Sequence, residues 1–282
     1  MRIDRVTLRV WAWAAIAAVA AASAYPRAQS EGDVVAAARD GFDRTLDQYV
    51  REGLVYYRAL QAERAQLDRF VVALADVSLT AVPRDDRLAF WLNAYNALVL
   101  QTVIDRYPSG SRSALYPPGS IRQIPGAFER VEHRVAGQLL TLDQIERIEL
   151  SGFGDPRVYF ALGRGAVGGG RLRSAAFTGD DVDRQLSAVA AECLRRAQCA
   201  QIDRAGNQVL ASSVFSWRSA AFIASYASDA DHLFMNRSPI EQAVLAYIDP
   251  HLLAAEREFL MRNGFELRFA PFDWELNDLT GR

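Results

Sequence analysis

The chain has 282 residues, half of them hydrophobic and 23% charged, with a formal net charge of -2. That balance suits a folded domain with a real core and excludes a generally basic nucleic-acid binder. All 32 basic residues are Arg and none is Lys. A Schiff-base enzyme and a Walker-A nucleotide site both need a lysine, so both are excluded. No cofactor is expected.

Residues 1–24 read as a secretory signal. Arg2, Arg5 and Arg9 precede an apolar stretch, Val10–Ala21, that is short for a bilayer span. Ala22-Ser23-Ala24 offers a small-x-small cleavage pattern. The expectation is an exported chain, periplasmic or secreted, with no stable membrane span once the signal is removed. An uncleaved anchor is the alternative. Residues 25–44 form a leader and the start of the first helix, and residues 45–280 a single domain.

Helical spacing is expected over 33–49 and 56–74. A clear helix runs from Asp85 to Tyr107, with Pro83 before it, acids in its first turn and Pro108 as its stop. The prolines and glycines of 108–127 make a long loop. Val131–Ala136 alternates as a strand. Thr141 caps a helix through Leu150, and Val158–Leu162 reads as a short strand. A glycine-rich loop covers 163–170. Helices are expected at 181–196, 215–227, 239–248 and 251–263, and strands at 207–212 and 265–269. Helices with few strands give an α+β class, mostly helical with a small sheet.

Cys193 and Cys199 are the two cysteines, spaced C-x5-C. In an oxidising compartment an even number suggests a disulfide between them. The three histidines, His133, His232 and His251, are scattered, so no metal site is expected. Gly163-Arg-Gly165-Ala-Val-Gly168 fits a dinucleotide fingerprint, but it does not open a helix. A turn that needs positive φ or close backbone approach is the simpler reading.

Asn93 and Asn96 share a face of the 85–107 helix inside an apolar run. Two buried amides must find partners. They either orient a ligand or bind neighbouring loop backbone. Asp143, Glu146 and Glu149 follow helical spacing and could form one acidic stripe, most simply a solvated face.

Several stretches in order resemble the bacterial "domain of unknown function 547" family. They are Phe90-Trp91-Leu92-Asn93-Ala94-Tyr95-Asn96; Leu142-Asp143 with Ile145-Glu146; Asp155-Pro156-Arg157 into Phe160-Ala161-Leu162; Phe177-Thr178-Gly179; Ser213, Phe215 and Trp217; and Pro271-Phe272-Asp273-Trp274 with Leu276-Asn277. The resemblance spans about residues 45–280. It implies a Cys at each of two positions in the loop after Phe-Ala-Leu, and a His after Ile-Glu. Here those places hold Gly163-Arg164, Gly169-Gly170 and Arg147. A Cys beside a His and polar amides is the arrangement of a thiol nucleophile, so the resemblance implies a thiol-hydrolase-like framework whose nucleophile and base this chain has lost.

The candidate site is therefore Asn93, Tyr95, Asn96, Glu146, Arg147 and Arg164. If Arg147 and Arg164 face each other, an anion or a carboxylate such as Glu146 must lie between them; the alternative is that both point to solvent. The expected function is a non-catalytic binding or accessory protein for an anionic small molecule or an envelope component. An envelope hydrolase using Asn93, Tyr95, Asn96 and Glu146 is the rival, and a structural partner protein the third reading.

Overall fold

The computed structural model describes residues 31–230 and 232–280; the expected signal segment lies outside them. The fold is built around one helix, α4 (Arg84–Ile104), whose residues are buried almost continuously from Leu88 to Ile104. A helix apolar on all sides belongs inside the protein, and helices α1 (Glu31–Tyr49), α2 (Tyr57–Ala62) and α3 (Ala65–Leu74) pack around it. Pro83 sets its start and two acids occupy its first turn. The helix expected over 56–74 is two, broken at 63–64.

Three small sheets sit at the edges. Strands β1 (Val50–Arg51) and β2 (Leu54–Val55) form one hairpin, β3 (Glu132–Val135) and β4 (Gln138–Thr141) another. In the third, β6 (Gln208–Ser212) pairs antiparallel with β5 (Ala200–Asp203) and parallel with β7 (Glu266–Ala270). Helices α7 (Ser213–Trp217), α8 (Ser219–Tyr226), α9 (Pro239–Ile248) and α10 (Ala254–Met261) fill the crossover between β6 and β7. The class is α+β, as the sequence indicates. Among the described residues, no helix is long and apolar enough to cross a membrane.

Two local elements differ from expectation. Thr141 does cap a helix, accepting from the Gln144 amide while Gln144 returns a bond, but α5 (Leu142–Gln144) widens at once into a π-helix over Ile145–Leu150. The segment expected as strand 158–162 is instead a 3-10 helix, Pro156–Phe160. Asp155 caps it through the Arg157 amide, and Pro156 at its first turn is already set for helical φ. Among the described residues, no strand pairs with this segment.

The proline-rich loop is organised by one buried side chain. Gln123 Nε2 donates to the Ser113 and Tyr116 carbonyls, both at 2.9 Å, and its Oε1 accepts from the Arg112 and Ser113 amides, both at 2.7 Å. The C-terminal segment is pinned back on β2: Asn277 accepts from Tyr57 at 2.7 Å and donates to the Gly53 carbonyl at 2.8 Å. Cys193, near the end of α6 (Val182–Leu194), is joined to Cys199 with a Cα–Cα separation of 5.4 Å, so the expected disulfide is present.

Candidate functional site

The two amides of α4 hold backbone. Asn93 Nδ2 donates to the Phe177 carbonyl and its Oδ1 accepts from the Phe177 amide, both at 2.8 Å. Asn96 Nδ2 donates to the Ala161 carbonyl at 3.0 Å and its Oδ1 accepts from the Gly163 amide at 2.9 Å. Both side chains thus satisfy four otherwise buried backbone groups of the loops crossing α4. They fix where the 160–164 turn lies. Of the two alternatives for these amides, backbone anchoring is the one the geometry displays.

That turn delivers Arg164 into the interior. Its φ is +46°, and Gly165 follows at +60°, so the chain folds back tightly enough to point the guanidinium inward. Arg164 Nη1 donates to the Tyr159 carbonyl at 2.8 Å, and Nη2 donates to Glu146 Oε1 at 2.5 Å. The glycines beyond serve close packing. A Cβ on Gly170 would stand 1.6 Å from the Phe160 carbonyl oxygen. Of the fingerprint-like glycines, Gly168 likewise meets backbone: a Cβ there would stand 2.6 Å from the Asp273 amide nitrogen, a close backbone approach that accounts for the glycine without a phosphate.

Glu146 lies on the π-helix and is buried. A second cation reaches it: Arg218 Nε donates to Glu146 Oε1 at 2.9 Å. Tyr95 OH, from the α4 face beside the amides, stands 3.5 Å from Glu146 Oε2. Burial alone would raise the Glu146 carboxyl, but Arg164 and Arg218 outweigh it and hold the group below its ordinary range. Burial pushes the Tyr95 phenol well above its ordinary value, with the Glu146 charge adding to it.

Arg147 does not join this cluster: of the two arrangements the sequence leaves open, convergence with Arg164 or exposure to solvent, it takes the exposed one. Its side chain is 63% exposed and sits 3.5 Å from Asp143, one turn back, whereas the Arg164 side chain is 3% exposed. The turn at 145–150 is widened, and on it Glu146 is interior while its neighbour Arg147 stands in water. The same widening splits the expected acidic stripe: Asp143 pairs at the surface, Glu146 is interior, and Glu149 lines a separate cleft. The cation missed from the sequence is Arg218. Its one signal is position, directly after the Ser213–Trp217 stretch.

Two guanidiniums on one carboxylate leave an excess positive charge. Arg218 is the member open to solvent, with a side chain 20% exposed. Beside it is an aromatic shelf. The Trp217 ring lies 4.9 Å from Phe272 and 6.1 Å from Trp274, and the Arg122 guanidinium stands 4.5 Å over Trp274. Trp217 is 42% exposed. Such a mouth can take an anionic group at the arginine and a ring or apolar part on the aromatics.

A thiol reaction has no nucleophile here. The chain has two cysteines, and both are consumed in the Cys193–Cys199 disulfide. As a base, Glu146 is weakened by the same two arginines that neutralise it.

No curated protein and no solved structure gives a significant match to the chain. The stretches at 213–217 and 271–277 fall outside the segment that a family model matches. Within that segment lie α4, both amides, Glu146 and Arg164; residues 79–194 match the model of the family described as "Protein of unknown function, DUF547".

Proposed function

We propose that this chain is an exported, non-catalytic binding protein built on a thiol-enzyme-like framework, and that it takes the anionic group of a small molecule or envelope component. The observation that carries the reading is the Arg164–Glu146 pair: the place where the family resemblance implies a thiol holds a buried guanidinium locked on a carboxylate. The excess charge of that cluster reaches solvent through Arg218, next to the Trp217, Phe272 and Trp274 rings. A carboxylate or phosphate there completes the neutralisation, while a sugar or other ring stacks on the shelf. Export is supported by the pattern of residues 1–24 and by the disulfide, a bond that persists in oxidising compartments.

The test is equilibrium binding of glucuronate and N-acetylmuramate against their neutral counterparts glucose and N-acetylglucosamine. The acids bind more tightly by about tenfold, the worth of one charge-assisted contact, and Arg218→Gln removes the difference. Equal or absent binding of all four sugars overturns the reading. Hydrolytic turnover that disappears in Glu146→Gln, with folding intact, would install the hydrolase in its place.

A further inference from the structure

A second cleft lies toward the N-terminal end of α4 and shares no lining residue with the Arg218–Glu146–Arg164 cluster. Its volume is 730 Å³, within the range of small-molecule sites. One wall is the α4 stripe Arg84, Arg87 and Trp91, spaced so that all three face the same way. The other is the Ile148–Phe153 stretch with Glu149, and the β3–β4 turn and residues 76–80 close it.

Most charges around it are spoken for. Asp76 is paired with Arg134 at 2.6 Å, and Arg84 donates to the Phe153 carbonyl at 2.6 Å. Arg87 is different. It is half-buried, and its Nε is shielded from water without a hydrogen-bond partner. Arg122 and Arg173 also have a shielded Nε, but Arg122 pairs with Glu129 and Arg173 lies over the Phe177 ring. Among the described residues Arg87 has no ion pair and no ring contact. Glu149 is its counterpart on the facing wall: half-buried, with no ion pair or side-chain hydrogen bond, and held above its ordinary range by burial alone.

A partly desolvated cation and anion in one cleft, each without a partner, cost free energy unless a ligand supplies the opposite charges. A simple anion would suit Arg87 and be repelled by Glu149; a simple cation meets the reverse. A ligand with both charges satisfies both walls. We propose that this cleft binds a small zwitterion of the amino-acid or short-peptide class, with its carboxylate on Arg87, its ammonium on Glu149 and its side chains against Trp91, Leu79 and Ile148. The site is independent of the Arg218 mouth.

Calorimetric titration of the full chain tests this with three probes: the dipeptide alanyl-leucine, its N-acetylated form and its C-terminal amide. Alanyl-leucine binds saturably, and each cap weakens binding by about tenfold. Arg87→Gln abolishes the penalty for amidation and Glu149→Gln the penalty for acetylation, whereas Arg218→Gln changes neither. Absence of saturable alanyl-leucine binding, equal binding of the capped forms, or penalties unmoved by the two variants overturns the proposal. Neither side chain has an internal partner, so neither variant lowers the melting temperature. If one fails to fold, the capped probes on the wild-type chain still decide.

Discussion

Arg218 Nε lies 2.9 Å from Glu146 Oε1, across 72 residues of sequence, and so completes a cluster that Arg164 begins from the other side. Three segments of the chain meet on one carboxylate: the π-helix, the glycine-rich turn and the α7–α8 junction. Removing the carboxylate strands two cations, whereas removing one cation leaves the carboxylate paired. Glu146→Gln is therefore the costlier change, at about 3–5 kcal/mol, and Arg164→Gln costs measurably less. Urea unfolding of both variants checks the order; equal stabilities would mean the cluster is not organised around Glu146.

The amides of α4 make a separable prediction. Asn96→Ala leaves the buried Ala161 carbonyl and Gly163 amide without their side-chain partner. The expected cost is about 2–4 kcal/mol, from two unsatisfied groups. Because the turn that carries Arg164 is released, hydrogen exchange at Gly163 and its neighbours accelerates in the variant. Unchanged exchange there would show that Asn96 does not hold the turn.

Gly170→Ala tests the reading of the glycine-rich loop. The added methyl group would fall 1.6 Å from the Phe160 carbonyl oxygen, so backbone must move. A clear loss of melting temperature is expected although φ at this position is unexceptional. A variant as stable as wild type would remove the close-packing explanation.

Much of this was legible in sequence because the signals were local. Pro83, the acids after it and the unbroken apolar run announce α4; the even cysteine count announces the disulfide; Thr141 and Gln144 announce the cap. What was not legible depends on distant partners. The Val158–Leu162 segment is apolar enough for a strand, but no described strand pairs with it, and the turn that Asp155 and Pro156 start runs on through Phe160. The π-turn at 145–150 separates Asp143, Glu146 and Glu149, which regular helical spacing places on one face. Arg218 has no motif of its own and is recruited by tertiary contact. β5 pairs with β6 over a short polar run whose pattern is weak.

Acidification also acts on a half-buried imidazole. Burial lowers the His133 imidazole below its ordinary value of 6.5, against an opposing pull from Asp105. The unfolded chain then binds more protons than the folded one below 6.5, so stability is complete above that pH and falls as the pH drops toward the folded value. Glu146, also depressed, adds a second loss beginning below its ordinary 4.5. Melting temperature against pH should show both declines, and His133→Gln should flatten the first alone. A first decline that survives the variant would assign it elsewhere.

The central claim is that Glu146 is held ionised between two arginines and is not available as a base. Its carboxyl can be followed directly by carbon NMR of glutamate-labelled protein, assigned by the resonance missing in Glu146→Gln. The account predicts an ionised carboxylate at every pH above the ordinary 4.5, with its midpoint displaced to more acidic pH. A midpoint near neutrality would contradict it, because a carboxyl poised there is a general acid or base, and the chain would then have to be read as a hydrolase.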